Sequence, residues 1–410
     1  MQHDKKPKIR PIEALPAVIE GKQVIMVRDP AEIAEPAVIP RQILFLMSLM
    51  DGTREYLEIQ EAYCRRFGDL LMSADLDRVV KDLDDHFFLE GERFQKRLEE
   101  LKQLYRQEPV RQPACAGSTY PDDPDGLRAY LKNLFETPGI PEKRDPGDAR
   151  RRIRGLIAPH IDFQRGGPVY ADVYRALAGN CDAELFVILG VSHKGGESFF
   201  SLTRKDYLTP LGTARTDLRF VDSLAAKLGG DPFLDEFYHR AEHSAELQIP
   251  FLQYLFDGLD GRRIVPILCG SVRPAIEAGK TPSEIPEIRA FIDGLRQTLD
   301  ECGKSWLVIA GVDLAHVGRF FGGDQALSPH YLADLEKADR KMLSKVEQLD
   351  ADGFYRIIEA ESDARNICGA LPIYVVSQLL GPGTADLVNY RQCVVREAEN
   401  CVTIAGMVIY

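Results

Sequence analysis

From Ile153 to the C-terminus the chain alternates short, almost wholly apolar runs with amphipathic stretches, and this limits the folds open to it. Ile153–Ala158, Leu185–Leu189, Ile264–Leu268, Trp306–Ala310 and Val402–Tyr410 read as strands. Apolar runs without polar alternation need cover on both faces of their sheet. Helical patterns lie between them: Val169–Leu177, then Leu218, Val221, Leu224 and Leu228 at helical spacing, then His243–Phe256 with Pro250 expected as a kink. Two further helices are predicted between Leu332 and Ala360, and a last one over Leu371–Leu380. Strands alternating with helices predict an α/β sheet covered by helices on both faces.

Three of these strands are followed closely by a histidine. Ile153–Ala158 leads into Pro159-His160-Ile161-Asp162, Leu185–Gly190 into Val191-Ser192-His193, and Trp306–Gly311 into Val312-Asp313-Leu314-Ala315-His316. The carboxyl edge of an open α/β sheet is where ligands bind. A fourth histidine, His243, stands in Glu242-His243-Ser244-Ala245-Glu246 at an expected helix start. Half of the eight histidines therefore fall at such places. Imidazole is the commonest metal ligand and the natural acid/base near neutral pH. Two histidines with a carboxylate make the facial triad of non-haem iron sites, and Asp313 is placed to supply the carboxylate. The pattern predicts a metal or acid/base pocket. His3, His86, His239 and His330 lack this context and read as surface or structural residues.

The remaining features narrow the partners. The 410 residues suggest two domains, and a formal net charge of −12 disfavours nucleic-acid and anionic-membrane partners. No run approaches the roughly 18–20 apolar residues of a membrane span. The N-terminus has no apolar signal region, and the eight scattered cysteines contain no Cys-x-x-Cys pair, so a reducing cytoplasm is expected. Leu189–Gly196 lacks the pattern of a phosphate-binding loop, and Ser192 beside His193 does not by itself make a triad.

Residues 1–105 read as a small, mainly helical domain, and 110–410 as the α/β domain. Pro109, Pro113, Pro121 and Pro124 mark the joint over about 100–125, and a second loop is expected over Thr137–Asp148. In the first domain Val24–Val27 is a strand stopped by Asp29-Pro30. Helices are expected after Pro40, over Tyr56–Arg66 and over Ala74–His86, with a hairpin over Phe87–Phe94. That order is winged-helix-like, and the Asp51-Gly52-Thr53-Arg54 turn resembles one in the PqqD-type peptide-binding domains. The third helix reads Ala-Asp-Leu-Asp-Arg-Val-Val-Lys-Asp-Leu-Asp-Asp, and its acidic residues would repel phosphate. Protein or peptide contact is therefore expected over DNA.

From about Cys115 to Tyr410 the chain resembles the Memo family, protein B of the AmmeMemoRadiSam system. The matching stretches, in order, are Ala116–Tyr120, Gly155–His160, Leu189–His193, Leu208–Thr213, Glu242–Pro250, Val312–His316 and Cys368–Ile373. The resemblance implies a Memo/LigB-like α/β fold related to class III extradiol dioxygenases, which hold non-haem iron(II) at a sheet edge. It implies iron(II) as the cofactor, with copper or zinc as alternatives. It also implies a radical-SAM protein and an AMMECR-type protein as partners, and a small aromatic or peptide-derived substrate. Carried over residue by residue, it makes His160 and His193 metal ligands and His243 the acid/base. The family's third ligand falls on Ala315, which ligates nothing; Asp313 and His316 are the neighbours able to replace it. Arg165, Ser192, Glu242 and Glu246 are expected to contact substrate, with the two glutamates either orienting His243 or standing solvated at a helix start. Cys368 reads equally as a buried inert thiol or a reactive one. A non-catalytic ligand- or peptide-binding protein that keeps a degenerate dioxygenase-like pocket is the alternative to an enzyme.

Overall fold

The computed structural model describes residues 6–19, 22–137, 152–179, 181–194, 196–396 and 399–410. Most of the loop expected over Thr137–Asp148, from residue 138 onward, lies outside the described residues. The chain divides into two compact units, Met1–Gln107 and Glu108–Tyr410.

The first unit begins with an antiparallel sheet of β1 (Glu13–Ile19), β2 (Lys22–Arg28) and β3 (Ala37–Ile39), in that order. Three helices follow: α1 (Arg41–Leu49), α2 (Tyr56–Phe67) and α3 (Ser73–Asp85). Their inward positions, Leu46, Met47, Ile59, Leu76, Val80 and Leu83, close on Val27 and Phe88 to form one core. A capping box between Glu55 and Glu58 starts α2, and Gly68 in the left-handed region (φ 79°) stops it.

The hairpin expected over Phe87–Phe94 does not form. Leu89 bridges to Ile9, Arg10 N–H donates to Phe88 O (3.0 Å) and Glu90 N–H donates to Lys8 O (2.8 Å). The partner strand thus comes from the N-terminus. Phe94, Leu98, Leu101 and Tyr105 recur at helical spacing, so the chain instead continues as α4 (Glu92–Gln107), into what was expected to be the joint.

Asp29 holds this unit's turn after β2. Its buried carboxylate accepts from Ala31, Ile33 and Ala34 N–H (each 2.9 Å) and from both terminal nitrogens of Arg10 (3.0 and 3.2 Å). Burial raises its pKa, but these hydrogen bonds outweigh it and hold the carboxyl below its ordinary value.

The second unit runs β4 (Val110–Arg111), α5 (Pro124–Glu136), β5 (Gly155–Ala158), α6 (Phe163–Arg175), β6 (Leu185–Val191), β7 (Phe200–Leu202), β8 (Asp206–Thr209) and β9 (Gly212–Ala214). It continues with α7 (Leu218–Ala225), α8 (Ile249–Leu255), β10 (Arg263–Cys269), α9 (Arg273–Glu277), α10 (Pro286–Glu301), β11 (Trp306–Gly311) and β12 (His316–Gly318). It ends with α11 (Pro329–Glu347), α12 (Ala351–Ala360), α13 (Ala370–Leu380), β13 (Ala385–Val395) and β14 (Asn400–Ile409). Eight strands form one mixed sheet in the order β12-β14-β5-β11-β6-β10-β7, with β13 also on β14. Strands β5, β11, β6 and β10 are parallel neighbours, while β14 and β7 run antiparallel on either side of them.

The apolar runs are buried on both faces, as their composition requires. Ile157, Val187 and Leu189 point into a core with α7, α10, α12 and α13. Their neighbours Leu156, Ala158, Phe186 and Ile188 point to the other face, against α5, α6 and α8. Pro250 does not kink a helix. It lies in the first turn of α8, where its missing N–H costs nothing, after a short 3-10 turn over Glu246–Gln248. Among the described residues no helix is long and apolar enough to cross a membrane.

The Asp29–Arg10 pair yields a pH prediction. Asp29→Asn strands a buried guanidinium and should cost about 3–5 kcal/mol of local stability at neutral pH. The folded carboxyl sits below its ordinary value, so its contribution is complete above about pH 4 and fades as pH falls further. Amide exchange over residues 24–50 of the full chain should therefore show a native-minus-variant gap that is flat from pH 7 to about 4.5 and narrows below about 3.9. A gap that narrows as pH rises would contradict this assignment.

Candidate metal centre

The carboxyl ends of β5, β11 and β6 lie side by side and deliver His160, Asp313 and His193 to one place. His243 joins them from the segment between two 3-10 turns, Glu236–Ala241 and Glu246–Gln248. The ligating nitrogens of His160, His193 and His243 all lie within 4.8 Å of one another. The His193 and His243 rings stack at 4.8 Å between centroids and 15°, and His160 stands across both at 76°.

The His160 and His193 rings are fixed through Nδ1 hydrogen bonds, which leaves Nε2 as the outward atom, and His243 Nδ1 lies near a carboxylate. His160 Nδ1–H donates to Gly311 O (2.9 Å). His193 Nδ1–H donates to the Glu242 carboxylate (3.0 Å), and His243 Nδ1 lies 3.2 Å from the same group. Glu242 is buried and also accepts from the backbone N–H of His193 (3.0 Å), His243 (2.9 Å) and Ser244 (3.1 Å).

The electrostatics follow from these contacts. Burial disfavours the Glu242 anion, yet the two histidines and the N–H donors prevail and hold its pKa well below the ordinary value. Burial, then His193 and His243, push the His160 pKa well down, so its ring is neutral. Burial lowers the His193 pKa, but Glu242 overcomes this and raises it. His243 falls to about 4, its burial outweighing Glu242.

Two further donors flank His160 Nε2. The thiol of Cys368 lies 3.4 Å away and Asp313 Oδ2 lies 3.7 Å away. Asp313 Oδ1 accepts from His160 N–H (2.8 Å) and Ile161 N–H (3.2 Å). Its burial raises the carboxyl to about 7 despite those bonds. The Cys368 thiol is raised well above its ordinary value by burial and by Asp313.

Cys368 adds a candidate to the neighbours of position 315 expected to replace the missing third donor. Ala315 packs wholly inside the core, with its N–H on the Thr403 hydroxyl (2.9 Å). The thiol arrives instead just before α13. It fits because Gly369 lies against β11's end: a Cβ there would meet Asp313 O and Val312 Cβ, both at 2.7 Å. Gly311 plays the same part for the His243 segment, since its Cβ would meet Ser244 O at 2.6 Å.

The other expected site residues separate. His316 stays outside the histidine group, with Nδ1 facing the carbonyls of Leu314 (3.1 Å) and Asn366 (3.3 Å). It lines a cavity of about 300 Å³ together with Ser192, His193 and Cys368. Arg165 does not line that cavity; its Nε donates to Asp162 (2.5 Å). His239 is structural, buried between the Tyr207 hydroxyl and Ser201 O.

Glu246 is fully buried and does not line that cavity. It pairs with Arg111 and the Tyr120 hydroxyl and accepts from Ala114 N–H (2.9 Å) and Cys115 N–H (3.0 Å). Arg111, also fully buried, donates further to His239 O (2.9 Å) and Glu242 O (2.7 Å). One guanidinium on β4 thus clamps the segment that carries Glu242 and His243. No sequence signal marked Arg111, since nothing along the chain links position 111 to position 246. Arg111→Met should cost about 3–5 kcal/mol by stranding the Glu246 charge. It should also speed amide exchange over residues 239–246 ahead of the rest of the second unit. Unchanged exchange in that segment would show that the clamp is dispensable.

Comparison with known proteins agrees with this architecture. Residues 111–408 match the family described as Memo-like protein. A MEMO1 family protein of Aquifex aeolicus is 29% identical over 408 residues, covering 99% of this chain and 100% of the relative. One from Methanothermobacter thermautotrophicus is 32% identical over 285 residues, covering 68% of this chain and 92% of the relative. One from Metallosphaera sedula is 33% identical over 270 residues, covering 64% and 84%. The Aquifex alignment spans both units. With its sheet, its strand-end histidines and these matches in agreement, the chain belongs to the Memo family.

Proposed function

We propose that this Memo-family chain is a metal-binding protein whose site serves redox chemistry on a small aromatic or peptide-derived substrate. One observation carries the reading: three imidazoles each bring a ring nitrogen to within 4.8 Å of the others, and each Nδ1 lies beside a buried oxygen. A carboxylate or carbonyl behind a ligating histidine is the arrangement that fixes its tautomer and raises its basicity.

The donor set fits a divalent transition metal. His160 supplies a neutral nitrogen, His193 would give up its Nε2 proton on binding, and Asp313 Oδ2 and Cys368 Sγ complete the set on the His160 side. Two histidines and a carboxylate suit iron(II), which would supply one-electron and dioxygen chemistry. The Cys368 thiol favours a second identity, since a sulfur donor beside histidines suits zinc or copper(I). His243, with Glu242 3.2 Å from its Nδ1, is placed to accept a substrate hydroxyl proton at Nε2, and the Glu242 carboxylate would stabilise the imidazolium that results. If the site binds ligands without turnover, the same residues act as recognition groups.

Metal analysis tests this reading. Protein purified anaerobically should carry close to one transition-metal ion per chain by mass spectrometry. The double variant His160→Ala, His193→Ala should lose it while keeping the native circular dichroism. Equal, near-zero metal in both proteins would sink the metal reading.

A further inference from the structure

The cavity beside the histidines has a chemical character of its own. Val191, Val272, Phe321 and Ile367 give it apolar walls, and Ser192, Ser271 and Asn366 add neutral polar groups. The lining contains one carboxylate, Asp363, and two imidazoles, His193, whose charge is balanced by Glu242 behind it, and His316, and no lysine or arginine. Its volume of about 300 Å³ is at the low end for small-molecule sites and suits a single substituted ring.

Asp363 is held in place with capacity to spare. Its Oδ1 accepts from Ile367 N–H (2.8 Å), while Oδ2 has no hydrogen-bond partner among the described residues. The backbone of Asp363 (φ 54°) and Asn366 (φ 50°) is left-handed, a conformation that Asp and Asn tolerate better than most residues. The segment is tied to the site: Asn366 Nδ2 donates to His316 O (3.1 Å), and His316 N–H donates to Arg365 O (2.8 Å). Arg365 is occupied by Asp339 and Glu361. Arg273, whose charge also reaches Asp363, is exposed on α9 and outside the cavity lining.

We infer that this cavity selects a small single-ring molecule carrying a positive charge, with its ammonium group at Asp363 and its ring among Val191, Val272, Phe321 and Ile367. The inference deepens the proposed function and rests on that reading for its place beside the metal ligands. A benzoate-like acid is disfavoured, because its carboxylate would leave water to face Asp363. A net charge of −12 also favours the approach of cations.

The test uses three probes of one size that do not chelate metal: benzylamine, benzyl alcohol and benzoate. Their binding to the full chain, stripped with EDTA, is measured by ligand-observed NMR titration. Benzylamine should bind roughly tenfold more tightly than benzoate, the effect of one charge-assisted hydrogen bond. Asp363→Asn, which keeps the acceptor for Ile367 N–H, should erase that preference. Arg273→Gln should sharpen it, so the inference stays testable if the first variant fails to fold. Benzoate binding as tightly as benzylamine would overturn the inference, as would no binding of any probe or a preference unmoved by both substitutions. Because the protein is metal-free, these outcomes are independent of the metal analysis, and either reading can fail alone.

Discussion

A single buried carboxylate organises the site. Glu242 accepts from both the ring and the backbone of His193 and from the backbone of His243 and Ser244, while its second ring neighbour is His243. An unpaired carboxylate at that depth would be protonated, so the histidines and the backbone donors are what keep it charged. The dependence runs both ways. Without the charge, the His193 and His243 rings would lose the acceptor that turns their Nε2 atoms toward His160. Glu242 is in turn held by Arg111 through its own carbonyl, and Arg111 is held by Glu246. The histidine pocket therefore rests on two successive ion pairs, Glu242 with His193 and Arg111 with Glu246, with the sheet edge behind them.

The sheet supplies the other half of the frame. His160 and Asp313 are fixed at the ends of adjacent parallel strands, so their separation is set by strand spacing rather than by loop conformation. The close approaches at Gly311 and Gly369 bring two later segments, one with His243 and one with Cys368, against those strand ends. Sites built on rigid elements hold geometry better than sites built on loops. The 363–368 segment, by contrast, is a loop that contributes Asp363, Asn366, Ile367 and Cys368 to the cavity lining.

Much of this was legible in the sequence, because the signals were local. Unbroken apolar runs such as Leu185–Leu189 announce strands buried on both faces, and His160 and His193 just past two of them announce a shared edge. What escaped depended on contacts between distant positions. Phe94 to Tyr105 repeats with helical spacing, but the neighbouring Phe87–Leu89 run reads as a hairpin arm from sequence, and its actual partner, Ile9, lies far along the chain. Glu246 looked like a site residue from its place in the His243 segment, yet its partners lie on residues 111–120. Cys368 stood in a matching stretch, but only the fold brings it to 3.4 Å from His160 Nε2. A sulfur near the histidines, looked for near position 315 along the chain, comes instead from the start of α13 in space.

The account stands on Glu242 acting as the support of a metal site, and one affinity measurement addresses that directly. Native protein and Glu242→Gln, each stripped of metal, would be titrated with zinc or iron(II) against a chelating indicator, with thermal unfolding recorded on both. A variant that folds but binds metal about 10–100-fold more weakly is the expected result. Equal affinity in the two proteins would contradict the account, because the histidines would then be oriented without the carboxylate on which the pocket is argued to depend.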